Sequence, residues 1–265
     1  MITKGWLNPS LRFANQWVCG CLLLWGSYLH AAENQIRVCG VEWPPFSYAN
    51  PVEKRLERGI SIAIYQEAFK RLDVKVEFIQ LPWPRCERDV IHGKYDAILD
   101  NASLPGYIHP LIPTAFYPLG AYVKQGSPLT NFRWGETSDK RVGMVRGYDY
   151  TPKISEHLDW EITLSKSDEQ LLLLLDRNRV DYIILDYFAA PILSKKTGVK
   201  IRPLNSFLDS TPLYLCFNKK HSALVDRLGP ILLDMLLDGT LDKIYQKSLG
   251  DSYANIRKHS RMAAP

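Results

Sequence analysis

At 265 residues the chain is long enough for one large domain or for two lobes, each burying a core of its own. The formal charge is +5, and it falls to +3 once Lys4 and Arg12, the two charged side chains before Glu33, are set aside. The remaining basic residues are scattered, with no basic stripe and no interleaved aromatics, so nucleic acid is not implied as a partner.

Residues 1–32 read as a signal peptide. Two positive charges precede an apolar run from Trp17 to Leu29, and "HAAENQ" follows with small residues, so cleavage is expected after Ala32. The apolar run is short beside the span of about 20 residues that a membrane helix needs. No later segment is apolar for long enough to cross a bilayer.

The next part reads as strand, helix, strand, helix, strand. "IRVCGV" (36–41) is a strand, broken at once by Pro44 and Pro45 with Trp43, Phe46 and Tyr48 around the break. Gly59 opens a helix on which Ile60, Ile64 and Ala68 recur every four residues. "VKVEFI" (74–79) alternates as a strand, a short helix runs from "PWPRC" to His92 with Gly93 as its stop, and "YDAIL" (95–99) is a third strand. "DNASLPGY" is a loop, and "YPLGAYVKQG" (117–126) is an extended crossing.

A second unit repeats the alternation. Strand "RVGMV" (141–145), a helix near 151–158 and strand "EITL" (161–164) come first. A helix over 168–177 follows, with Ser167 and Gln170 placed as a capping box. Strand "YIILD" (182–186) leads to a helix stopped by Gly198, and "TPLYLCFNK" (211–219) is a second crossing. The closing helical stretch is expected to break at Gly229-Pro230 and again near Gly239. Strands alternating with helices predict α/β layers with largely parallel pairing.

After Ala32 three cysteines remain: Cys39, Cys86 and Cys216. Two readings stand. They are plain buried thiols, or Cys39 pairs with Cys86 in an oxidising compartment. No cysteine or histidine spacing suits zinc, so no metal is expected.

Five segments in this order resemble one family. "VCGVEWPPFSY", "GKYDAIL", "KRVGMVRGYDY", "NRVDYIILD" and "LLDGTLDKIYQKSLG" are similar to stretches of the periplasmic solute-binding proteins of bacterial transporters. Within these, the match is to the bacterial extracellular solute-binding family 3, which includes amino-acid receptors. The resemblance spans nearly all of 35–250. It implies a two-lobed type II periplasmic-binding-protein fold, with lobe 1 from 33–120 and 216–260 and lobe 2 from 121–215. It also implies hinges near 119–125 and 211–217. The implied setting is the periplasm. The implied partners are a small-molecule solute and an inner-membrane ABC permease or sensor, with the protein a monomer and no cofactor.

The resemblance also assigns roles. In this family the Pro-Pro-Phe corner carries aromatic rings to the cleft, which here places Trp43 and Phe46 there, with Glu42 before them and Tyr48 after. Asp186 matches an aspartate that accepts hydrogen bonds from a ligand ammonium, and its bland alternative is a helix cap. Gly147 matches the glycine of a carboxylate-greeting loop, accompanied by Arg146, Tyr148 and Asp149. The first lobe departs from the family. Tyr107 and Ile108 stand near the place of its carboxylate-clamping arginine. Asn101 and Ser103 remain as hydrogen-bonding groups, Arg85 is the nearest charge to replace the arginine, and Trp83 offers another ring. Core packing is the alternative for Phe46, Tyr48 and Trp83, and a solvated surface for Arg85. The leading reading is a receptor for a small polar solute, an amino acid or related amine. The alternative is an enzyme of the cyclohexadienyl or arogenate dehydratase type, using Glu42 or Asp186 as acid or base.

Overall fold

The structure is a computed structural model. Beyond Met1 it describes residues 35–148, 150–157, 159–204 and 207–263. The expected signal segment and its cleavage site lie outside that range, as does Asp149 of the expected binding loop.

Strand β1 (Gln35–Gly40) carries Val38 and Cys39 with no exposed surface. The Pro-Pro corner ends it, and a hairpin not expected from the sequence follows, β2 (Tyr48–Asn50) and β3 (Arg55–Arg58). Helix α1 (Ile60–Arg71) starts where Gly59 takes φ +127, and it buries Ile60, Ile64 and Ala68 as their spacing predicts. Its first amides find no side-chain cap. Instead the Ile60 and Ser61 N–H groups donate to the Pro45 and Phe46 carbonyls, so the corner itself closes the helix end. A Cβ at position 59 would overlap the Phe46 carbonyl, which is why this contact needs glycine.

Strand β4 (Lys75–Gln80), helix α2 (Trp83–Ile91) and strand β5 (Ala97–Asn101) complete the first α/β unit, with the short β6 (Tyr107–Ile108) after it. β1 pairs in parallel with β4 on one side and β5 on the other. The long strand β7 (Ala115–Lys124) then leads into a second unit of β8 (Lys140–Val145), α3 (Pro152–Ser155) and β9 (Trp160–Ser165). The helix expected near 151–158 is thus a single turn. Helix α4 (Asp168–Asp176), strand β10 (Tyr182–Asp186), helix α5 (Ala189–Thr197) and strand β11 (Ile201–Pro203) follow. Ser167 caps α4 through the Gln170 N–H, and the Gln170 side chain reaches back to the Lys166 N–H, one residue earlier than in the usual box.

Strand β12 (Asp209–Asn218) runs back along both units. Its first half pairs antiparallel with β7 and its second half with β5 and β6, so the sheet order is β2-β3-β4-β1-β5-β12-β7-β10-β8-β9. Helices α6 (Ser222–Leu237), α7 (Thr240–Leu249) and α8 (Tyr253–Ala263) close the chain. One expectation is corrected here, and one element is added. Pro230 does not interrupt α6, because Pro230 itself is exposed while Leu228, Leu232 and Met235 are buried along the same helix. The stretch after Gly250, which suggested no element, forms α8 and buries Tyr253.

The cores follow the two units. One gathers β1, β4, α1, α6, α7 and α8 and includes Ala115, Phe116 and Leu213. Two others cover the opposite faces of the second sheet and draw on residues from Leu119 to Leu208. Both long strands therefore change core along their length. Buried tyrosines fix where they leave the first unit. Tyr245 donates to the Thr114 carbonyl, Tyr253 to the Pro113 carbonyl, and the Leu215 N–H donates to Tyr65. Beneath α2, Cys39 and Cys86 form a disulfide with their Cα atoms 5.8 Å apart, tying the helix to β1. Cys216 lies buried beside them as a free thiol. No helix among the described residues is long and apolar enough to cross a membrane.

Candidate functional site

A cavity of about 430 Å³ lies between the two units, at the C-terminal ends of β1, β5, β8 and β10. Parallel strands bring their loops to this end of a sheet, which is where open α/β sheets hold ligands. The first unit supplies the corner after β1, the start of α2 and the end of β5. The second supplies the loop after β8, the start of α4 and the end of β10. Tyr117 of β7 and Thr211 of β12 form the floor between them.

Asp186 is the best-connected group in the cavity wall. One carboxylate oxygen, Oδ1, accepts from the Phe188 and Ala189 N–H groups at 2.6 and 3.0 Å, capping α5. The other, Oδ2, accepts from the indole Nε1 of Trp43 at 2.7 Å, across the cavity from the opposite unit. Both readings of this residue thus coexist: it caps a helix, and it faces the cavity. Only 6% of its surface is exposed, and burial pushes its carboxyl up to about 7 against the pull of its hydrogen bonds. The charge on Asp168 adds to that rise.

The aromatic corner divides its duties. Trp43 lines the cavity, stacks on Phe46 at 4.2 Å between ring centroids and meets Tyr117 edge-on at 5.9 Å. Phe46 has no exposed surface and packs against Tyr245 and Phe188, so its ring belongs to the core and supports Trp43 from behind. That corrects its expected place on the wall. Tyr48 stands on β2, clear of the cavity lining, with the Arg58 guanidinium over its ring at 4.3 Å. Glu42 lines the cavity and accepts from the Ala49 N–H, and Trp83 lines it from the first turn of α2.

In the second unit Arg146, Gly147 and Tyr148 all reach the cavity. Tyr148 donates to Asp168 Oδ2 at 2.7 Å, and Asp168 is the first residue of α4. Burial raises the Asp168 carboxyl above its ordinary value, against that hydrogen bond. Among the described residues Arg146 is the one cationic side chain in the lining, and it is exposed.

Three further first-unit candidates do not meet the cavity. Arg85 points to solvent beside Asp89, 3.6 Å away, so it does not stand in for the missing arginine. Ser103 engages the imidazole of His109 at 2.7 Å. Asn101 is fully buried, and its side-chain amide has no hydrogen-bond partner among the described residues.

What the sequence reading missed is acidic. Asp100, one residue before Asn101, lines the cavity with 8% of its surface exposed. Its Oδ1 accepts from Ser61 at 2.9 Å, and burial pushes its carboxyl up to about 7. Its φ of +53 turns the end of β5 into a left-handed residue, a conformation that aspartate tolerates better than most. Asp168 and Tyr117 were also unforeseen. Among the described residues the lining therefore holds four carboxylates, Glu42, Asp100, Asp168 and Asp186, against one arginine. No group of three or more His, Cys, Asp or Glu side chains among the described residues is placed to hold a metal ion.

A family model described as bacterial extracellular solute-binding proteins, family 3, matches residues 36–251. The L-cystine-binding protein TcyJ of Escherichia coli (strain K12) is 21% identical over 213 residues, covering 78% of this chain and 79% of that one. The L-cystine-binding protein TcyK of Bacillus subtilis (strain 168) is 31% identical over 80 residues, a match that spans 30% of either chain. Solved structures share the fold. The probable amino-acid ABC transporter extracellular-binding protein ytmK from Bacillus subtilis aligns with a TM-score of 0.72 at 21% identity, over 82% of this chain and 98% of that one. A histidine kinase sensor domain with similarity to periplasmic binding proteins aligns with a TM-score of 0.69 at 16% identity, over 82% and 97%. The shared architecture is the two-lobed type II periplasmic-binding fold.

Proposed function

This chain belongs to the bacterial extracellular solute-binding proteins, family 3, and we propose that it captures an amine-bearing solute, an amino acid or a related amine, between its lobes. The observation that carries this reading is Asp186. It is a nearly buried carboxylate at the seam of the lobes, held by a ring from the opposite lobe and open to the cavity. A buried carboxylate is costly unless it is paired, and an ammonium group supplies the pair. Trp43 and Tyr117 supply the flat contact area beside it at little cost in side-chain entropy.

The names of the relatives support a receptor for amino acids. They divide over the partner, since one is called a transporter protein and another a kinase sensor domain. An inner-membrane ABC permease or a sensor is accordingly the proposed recipient of the loaded, monomeric receptor in the periplasm. The disulfide between Cys39 and Cys86 accords with an oxidising compartment.

One observation favours a second reading. Two carboxyls poised near neutrality in one cavity, Asp100 and Asp186, are what general acid–base chemistry uses. A dehydratase of the prephenate or arogenate type would have to hold two substrate carboxylates among four protein carboxylates with Arg146 as counter-charge, which weighs against it. The test is native mass spectrometry of the freshly purified protein, followed by a thermal-shift screen of amines, amino acids and dicarboxylates. Retention or binding of an amine is expected. Turnover of prephenate or arogenate would replace this reading with the enzyme, and binding of dicarboxylates alone would remove the role given to Asp186.

A further inference from the structure

The sequence carries "AILD" at 97–100 and "IILD" at 183–186, and the fold brings the two aspartates to opposite walls of one cavity. Asp100 ends the apolar run of β5 in the first lobe, and Asp186 ends β10 in the second. Their surroundings differ. Asp186 has both oxygens engaged, by two backbone N–H groups and the Trp43 indole. Asp100 has one oxygen on the Ser61 hydroxyl. Its Oδ2 is buried and has no hydrogen-bond partner among the described residues. No lysine or arginine among the described residues acts on it.

A buried carboxylate oxygen without a donor is an expensive arrangement for a fold to keep. Asp100 lines the cavity, so the missing donor has a place to come from. Asp168 does not compete for this role. Its Oδ2 already accepts from Tyr148, and it sits on the second-lobe wall, close enough to Asp186 to oppose its ionisation. Of the carboxylates in the described lining, Glu42 is exposed and Asp168 half-buried, which leaves two buried negative poles, Asp100 on the first lobe and Asp186 on the second, with apolar and aromatic surface between them.

We propose that the solute carries two cationic groups, one held at Asp186 and the other at Asp100, which makes Asp100 the residue that selects a doubly cationic ligand over a singly cationic one. The proposal rests on the amine-bearing reading above. A solute with a single ammonium satisfies one pole and leaves the other buried and unpaired. A diamine or a guanidino-amine satisfies both, and a basic amino acid does so if its carboxylate meets Arg146. An amino acid with an apolar side chain leaves Asp100 without a donor. Closure of the lobes on such a ligand removes both poles from water together, so the preference is built into closing and not into first contact.

Matched pairs test this by titration calorimetry on the full exported protein: 1,4-diaminobutane against butylamine, and lysine against norleucine. In at least one pair the second cation is expected to raise affinity by about tenfold or more, the scale of a desolvated charge pair. Asp100→Asn should erase that increment, read as the ratio of the two affinities within each pair. Asp100→Ser, checked by circular dichroism, replaces it if the asparagine variant does not fold. An absent increment in both pairs, or an increment that survives loss of Asp100, overturns the proposal and leaves the amine reading standing. Failure of every amine to bind overturns both.

Discussion

The indole Nε1 of Trp43 donates to Asp186 Oδ2 at 2.7 Å, and this one bond joins the first lobe to the second across the cavity. Its two ends are held by unlike means. Trp43 is positioned by its stack on Phe46 and by the backbone bonds of the corner, in which the Phe46 and Ser47 N–H groups both donate to the Trp43 carbonyl. Asp186 is positioned by the amides that open α5. A parting of the lobes would break the bond and turn each end to water, so its contribution is expected to belong to the closed form.

Trp43→Phe keeps the stacking surface and removes the donor. Affinity for the bound amine should fall by about 1.5–3 kcal/mol, the range for a hydrogen bond to a charged group. The melting temperature of the ligand-free protein should barely move, because the ring still covers Phe46. Calorimetry and thermal melts on the same preparation check both halves. A large loss of melting temperature with affinity intact would make Trp43 a core residue.

The two raised carboxyls predict the slope of stability with pH. An aspartate near 7 in the folded state and about 4 in the unfolded chain holds its proton longer when folded. Between those values the folded state binds more protons, so its stability falls as pH rises, and the loss is complete above about 7. The groups around Asp100 are Ser61, Tyr65, Tyr245 and Cys216, none of which carries a charge in this window. Around Asp186 they are Trp43, Tyr117, Tyr122 and Asp168. The melting temperature of Asp100→Asn minus that of the ligand-free wild type should therefore grow from pH 5 to pH 7. A flat difference would mean that Asp100 titrates normally.

The architecture was legible because its signals are local and repeated. Alternating strands and helices, Gly59 and Gly198 at helix ends and the Ser167–Gln170 pair each appear where their chemistry puts them. The misses have physical causes. Pro230 reads as a break, yet the apolar face of α6 outweighs one lost hydrogen bond at an exposed position. Phe46 and Trp43 are three residues apart and equally aromatic. Which of them faces the cavity depends on α1 packing behind the corner, which no short-range pattern records. Asp100 is the instructive omission. It ends an apolar strand as Asp186 does, and the argument applied to one applied to the other. Arg85 failed in the opposite sense, since nearness in sequence to a binding loop did not turn its side chain away from Asp89.

The disulfide predicts a stability change that outweighs its effect on ligand contacts. Cys39 and Cys86 are 47 residues apart, and their link fixes α2 against β1. Reduction, or Cys39→Ser with Cys86→Ser, should cost about 2–4 kcal/mol, the usual range for closing a loop of this order. Trp83 and Pro84 line the cavity from the start of α2, so affinity should fall as well, but by less than it does in Trp43→Phe. Denaturant melts with and without reductant give the first number and calorimetry the second. Identical melts would show that the packing of Val90 and Ile98 holds α2 without the bridge.

The last prediction concerns motion. Both long strands, β7 and β12, pass from one core to another, between Phe116 and Leu119 on β7 and between Leu208, just before β12, and Leu213 within it. They also pair with each other across this region, from Asp209 opposite Leu119 to Leu213 opposite Ala115. A bend there rotates one lobe against the other without opening either core, which is how a hinge differs from local unfolding. The contacts that such a bend must break include the Trp43–Asp186 hydrogen bond, the edge contact of Trp43 with Tyr117 and the edge contact of Phe46 with Phe188. Small-angle scattering on the ligand-free protein should give a larger radius of gyration than on the protein with its amine bound. Asp186→Asn should widen the ligand-free distribution further, because the Trp43 indole then loses its charged acceptor. Identical curves with ligand demonstrably bound would mean that the cavity fills without closure. The two crossings would then be rigid struts.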